Sequence, residues 1–313
     1  MEFVPITFIE DVLMLLASHD SVASSTDISG LKSACANSDL RGTLSVSGNF
    51  GKHARELEEF GYSKRFLISY GTFDGFDYIS LNGTTLDTDD FKDSQPLAKF
   101  RVGSAVRYNA AVRLNGQVET SPIDEDTKQR LKEFVKGSGE LHLEIIHDLD
   151  DDCVPLFSSW ENLRCVKIYG HPCGKVLDLL EILTAHKQLK GLVVSDYLWR
   201  GDKEIKIFTD LLQQEQFSTL AVYPCKNARA KIFEKFQENG EAFKGKTVFW
   251  MSGGKKHDDS FTEVGRIDAK TIRFQKENLV MDYFYQEATE EKGMGRPTYC
   301  VFRFLSPNWT FCE

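Results

Sequence analysis

LRCVKI (163–168), LKGLVV (189–194) and FSTLAV (217–222) carry one pattern, apolar-x-x-apolar-x-apolar, and begin 26 and 28 residues apart. A weaker copy, GKTVFW (245–250), follows 28 residues later with Gly245 in the first apolar place. Each run reads as a short buried strand. The segments between them, VLDLLEILTAHK (176–187), EIKIFTDLLQQEQF (204–217) and ARAKIFEKFQENGEAF (228–243), space their apolar residues three and four apart, as one helix face requires. Upstream, LHLEII (141–146) predicts a strand that heads the series. A single unit of strand, turn and helix cannot cover its own apolar face, so recurrence at this interval predicts stacked units, a β/α solenoid.

Leucine-rich repeats are written in this way, usually with Asn or Cys at the ninth place of the strand motif to bond backbone groups at the turn. Here the ninth places are His171, Tyr197 and Cys225, so only the third copy conforms. The expectation is an α/β chain with an irregular, leucine-rich-repeat-like solenoid over 126–260. TIRFQKENLVMDYFYQ (271–286) and TYCVFRFL (298–305) predict antiparallel strands that cap its end within 261–313. The region 39–125 has a strand-rich texture. LSVSG (44–48), RFLISYG (65–71), FDYISLNG (76–83), AKFRVG (98–103) and AAVRLNG (110–116) are β-rich runs closed by glycine, where turns accept positive φ. GKHARELEEFGY (51–62) predicts a helix between the first two, and the acidic loop TSPIDED (120–126) leads into another at 127–136.

The 313 residues are 41% hydrophobic and 27% charged, which fits a folded chain and opposes extensive disorder. A net charge of −9 opposes a broad phosphate-binding face, so no nucleic-acid partner is expected. Seven cysteines, an odd number dispersed along the chain, read as reduced thiols of a cytoplasmic or nuclear protein. The opening MEFVPITFIEDVLMLLASHD (1–20) is neither a secretory signal nor a membrane span, because Glu2 replaces the basic start and Glu10–Asp11 interrupt the apolar run. It predicts a helix over 5–16, with Thr7 and Glu10 as a capping box.

Counted from Val4, the opening places Val4–Pro5, Phe8–Ile9, Val12–Leu13 and Leu16 at the positions where the F-box motif has Leu-Pro, two apolar pairs and Leu. It resembles the start of a large nematode family of divergent F-box-like proteins. The body, with WENLRCVKIYGH, LLEILTAHKQLKGLVV and DLLQQEQF, resembles the same family. Ile28–Ser29 stands near the place of the motif's Val-Ser, and no Trp follows it. The resemblance implies an F-box-like helical segment at 1–38 whose Val4, Pro5, Phe8, Ile9, Val12, Leu13 and Leu16 engage the adaptor of a cullin–RING ubiquitin ligase. The body would then hold an unidentified protein target for a non-catalytic substrate receptor. The alternative is a leucine-rich-repeat-like scaffold with no ligase connection, in which residues 5–16 cap the first repeat.

Chemical constellations are weighed against simpler readings. HDLDDDC (147–153) lacks the spacing, central Gly and closing Glu of a calcium loop and reads as a solvated turn. Cys165, His171 and Cys173 miss zinc spacing, and SGGKKHDD (252–259) lacks the first Gly and the Ser/Thr of a phosphate loop. His186 reads as a partner of a helix dipole, and no nucleophile elbow occurs. No metal, cofactor or catalytic set is expected. Tyr197, Trp199, Arg200 and Tyr223 follow predicted strands and suit a target-binding rim, because aromatics and Arg dominate interface hot spots. The competing reading packs Trp199 beneath its own loop.

Overall fold

The computed structural model describes residues 48–80, 84–86, 101–109, 111–114, 117–171, 174–195, 199–222, 226–250, 262–268, 271–276, 279–285 and 297–304. The protein is a mixed α/β chain. Its contacts divide it into two compact units: Met1–Leu156 with Trp160–Cys165, and Phe157–Ser159 with Val166–Glu313.

The first unit contains α1 (Gly48–Phe60), β1 (Tyr62–Ser69), β2 (Thr72–Ser80), β3 (Thr85–Leu86), β4 (Arg101–Asn109), β5 (Ala111–Leu114), β6 (Gln117–Thr120), α2 (Glu125–Lys136) and β7 (Leu141–Ile145). Its main strands lie in the order β7-β4-β1-β2-β3, and β5 pairs with β6 in a separate two-stranded sheet. β4 is parallel to both β1 and β7, while β2 returns antiparallel to β1. The β1–β2 turn needs glycine. Gly71 has φ +77°, and a Cβ there would lie 2.2 Å from the carbonyl oxygen of Pro122. The same approach lets the Asp124 N–H donate to Gly71 O at 2.9 Å. Asp124 then caps α2 by accepting the Thr127 N–H at 2.7 Å, with Glu125 and Asp126 in the first turn. Phe66, Val106, Leu131, Leu143 and Ile145 fill the core, with Phe66 touching the rings of Phe73, Phe76 and Phe134.

The α3 helix (Cys153–Ser158) and β8 (Leu163–Ile168) each contribute residues to both units. The second unit continues with α4 (Gly174–His186), β9 (Gly191–Val194), α5 (Asp202–Leu212), β10 (Thr219–Val222), α6 (Lys226–Glu238), α7 (Gly240–Phe243) and β11 (Thr247–Trp250). It closes with β12 (Thr262–Asp268), β13 (Thr271–Lys276), β14 (Leu279–Tyr285) and β15 (Pro297–Phe304). Its strand order is β12-β13-β14-β15-β11-β10-β9-β8. Strands β9, β10 and β11 are parallel neighbours, and β11 to β15 to β14 to β13 to β12 are antiparallel.

Strands β8, β9, β10 and β11 begin at 163, 191, 219 and 247, a step of 28 residues each time. The sequence pattern began two residues early at 189, 217 and 245, because Leu189 and Phe217 are buried in the turns before their strands rather than in the ladder. The expected helix over 228–243 is two helices broken at Asn239, and that over 204–217 stops at Leu212. Of the β-rich run expected at 44–48, residues 44–47 lie outside the described residues, and its closing Gly48 opens α1. β12 and α3 were not anticipated.

Polar side chains tie the helix ends to later turns. Asn162 Nδ2 donates to the carbonyls of Val135 in the last turn of α2 and of Ser138 and Gly139 after it. Gln214 Nε2 reaches Thr184 O in α4 at 2.8 Å, and Lys246 Nζ reaches Phe217 O at 2.8 Å and also Gln214 O. These carbonyls lie at or just beyond helix ends, where the helical ladder no longer supplies its full set of donors. Among the described residues, no helix is long and apolar enough to cross a membrane.

Candidate functional site

Val4, Pro5, Phe8, Ile9, Val12, Leu13 and Leu16 lie outside the described residues, as do Tyr197 and Tyr223. Of the expected rim, Trp199 and Arg200 are placed, on the segment entering α5. Trp199 is 2% exposed, its Nε1 donates to Gly170 O at 3.0 Å and its ring stacks on Phe208 at 6.4 Å. Its indole joins the loop after β9 to the loop after β8. The expectation that Trp199 meets a target is therefore corrected: within this fold it is a packing residue. Arg200 beside it is exposed.

Two carboxylates of the acidic run at 147–152 turn onto the backbone. Asp148 accepts the Leu149 N–H at 2.7 Å and Asp150 accepts the Asp151 N–H at 2.6 Å. Behind it the Tyr108 hydroxyl lies against the Cys153 thiol; burial pushes the hydroxyl well above its usual range and also raises the thiol. A buried, protonated thiol is a poor nucleophile. Cys165 is buried, while His171 and His186 are exposed; Cys173 and residues 252–259 lie outside the described residues. No group of three His, Cys, Asp or Glu side chains suited to a metal occurs among the described residues.

Charged groups inside the strands form two kinds of site. On one face of the first unit's sheet, Glu144 of β7 is 1% exposed and accepts Arg107 Nε at 2.9 Å, with Arg65 Nε at 3.4 Å. In the second unit, buried Asp282 accepts Arg273 through two bonds of 2.7 and 2.9 Å and is also bonded by Arg303. Each is a buried carboxylate paired with two guanidinium groups from other strands of its own unit: Arg107 of β4 and Arg65 of β1 for Glu144, Arg273 of β13 and Arg303 of β15 for Asp282.

The other face of the first unit differs, because Lys64 points opposite to Arg65 along β1. Its Nζ lies 3.8 Å from the Phe76 ring centroid and 5.8 Å from that of Tyr78. The Arg101 guanidinium sits 5.3 Å over Phe134 and donates through Nη2 to Ser138 Oγ at 3.1 Å and to Ser104 Oγ. Tyr62 packs against Tyr78 at 5.7 Å. Burial first, and then the Arg101 charge, hold the Lys64 ammonium below its usual range; burial likewise lowers Arg101. This patch leaves little mark on the sequence. Its one signal was a lysine at a position whose period-two neighbours, Phe66 and Ile68, are core residues.

No protein-family model matches the chain, and no curated protein or solved structure matches it.

Proposed function

We propose that the chain is a non-catalytic protein-recognition module, the substrate receptor of a cullin–RING ubiquitin ligase of the F-box type. The observation that carries the recognition part is the constant step of 28 residues between the starts of β8, β9, β10 and β11. Strand–helix units at a fixed period support a solenoid-like body, an architecture that presents extended surfaces to other proteins. The ligase part rests on the apolar and proline positions Val4, Pro5, Phe8, Ile9, Val12, Leu13 and Leu16. A short helix with apolar residues on more than one side suits docking into a partner's groove. The site of action would be cytoplasmic or nuclear, with a ligase adaptor and a protein target as partners.

Co-purification with the adaptor tests this. Pro5→Ala combined with Val12→Asp is expected to abolish adaptor capture while the far-ultraviolet circular dichroism of the body stays unchanged. Deletion of 1–16 separates the scaffold alternative: collapse of the body on deletion, with no adaptor captured by the intact chain, would establish those residues as a cap.

A further inference from the structure

Lys64 and Arg101 stand out in a chain whose net charge is −9. Among the described residues neither meets a carboxylate: Lys64 Nζ faces rings, and the hydrogen bonds of Arg101 all leave from Nη2 and end on serine hydroxyls. Three ammonium N–H groups and the Nε and Nη1 edges of the guanidinium are thus left as donors. The two cations share one face. Tyr62 pairs with Arg101 and Lys64 with Ser104, the partner of Arg101's own bond. After burial, the Arg101 charge lowers the affinity of Lys64 for a proton, as an uncompensated cation nearby should. Both are half-buried, so an anion brought to them is partly withdrawn from water, where charge-assisted bonds gain strength.

We propose that Lys64 and Arg101 receive the carboxylate of an acidic peptide segment on a protein partner. This rests on the protein-recognition reading and is independent of its ligase part. The rings decide against a nucleic acid. Base stacking needs bare aromatic faces, whereas Lys64 covers Phe76, Arg101 covers Phe134 and Arg130 covers Phe73 at 5.3 Å. A carboxylate needs only donors, and donors are what the patch has left.

The test is fluorescence anisotropy of the full chain with a labelled octaglutamate peptide, an octaglutamine control and an oligouridylate. Octaglutamate is expected to bind, octaglutamine not, and binding should weaken as salt rises from about 50 to about 300 mM. Lys64→Met and Arg101→Met should each weaken it about tenfold or more, the loss of one hydrogen bond to a charged group. Equal octaglutamate binding by the wild type and the double variant overturns the proposal. So does tighter binding of oligouridylate with the same dependence on Lys64 and Arg101, which would make the occupant a nucleic acid. If Arg101→Met lowers the unfolding midpoint, Lys64→Met alone decides. Adaptor capture by these variants is expected to be unchanged, so failure of the ligase reading and failure of this one give different results.

Discussion

Replacing Lys246 by Met should change the pH dependence of stability in a calculable way. Lys246 is 3% exposed, and its Nζ donates to the carbonyls of Phe217 and Gln214. Burial pushes its pKa down to about 8, against the opposing pull of Glu215, whereas an ordinary lysine titrates at 10.5. Between those values the unfolded chain holds a proton that the folded chain has released. Stability from this group therefore rises with pH across that window, and the cost of the buried charge is fully present below it. The rise amounts to about 2 kcal/mol between about pH 7 and about pH 9.5. The sign of the effect at one pH does not discriminate, because Lys246→Met strips two carbonyls of a donor, at about 1–3 kcal/mol each, while relieving a buried charge. The slope does discriminate. Urea unfolding of both proteins across this range, taken as a difference, cancels the other lysines and tyrosines. The wild type should gain on the variant by about 2 kcal/mol as pH rises. Parallel stability curves would refute the buried-amine reasoning.

Three further changes probe the frame. Glu144→Gln removes the buried charge that faces Arg65 and Arg107 and should cost about 3–5 kcal/mol in chemical denaturation. Asn162→Ala leaves the carbonyls of Val135, Ser138 and Gly139 without their side-chain donor; a loss of about 1–3 kcal/mol is expected, with faster amide hydrogen exchange in the last turn of α2. Gly71→Ala forces a Cβ within 2.2 Å of Pro122 O at φ +77°. It should lower stability by more than about 2 kcal/mol, and a variant as stable as the wild type would show that the Pro122 segment does not press on the turn.

The repeating strands were legible because the apolar positions of a buried strand recur with the unit. Their starts were not, since Leu189 and Phe217 are apolar for a different reason: they plug the core beneath the preceding helix end while their backbones still belong to a turn. A pattern of apolar residues records burial, not hydrogen bonding. β12 left no trace because Thr262, Glu263, Val264 and Arg266 are exposed; it lies at the end of the strand order, with register shifts against β13, and has no buried stripe to betray it. The charge pairs were hidden by distance along the chain. Arg107 and Glu144 are 37 residues apart and meet only because β4 and β7 are paired in register. Trp199 was misread for the same reason, since the carbonyl that holds it lies 29 residues upstream.

The constant period also has a physical cause. Helices α4 and α5 have 13 and 11 residues, and α6 has 13 with the 4 of α7 after it, so helix length does not set the step. What is fixed is the start of each strand. Thr219 N–H donates to Lys190 O at 3.1 Å and Thr247 N–H to Ser218 O at 2.8 Å, and Thr219 stands in register with both Gly191 and Thr247. A strand that started one residue late would turn its buried side chains to the opposite face. With the strand starts fixed, loop and helix within each unit must add up to the same length, so any residue gained in one must be lost from the other. The connections after the strands show that exchange: 195–201 precedes the short α5, and the brief 223–225 precedes the longer α6. A chain of this kind is free to trade helix turns for loop length without disturbing the ladder. On the proposed recognition reading, the connections that follow the strands, where Arg200 is exposed, would be the places where target preference changes at least cost to the fold.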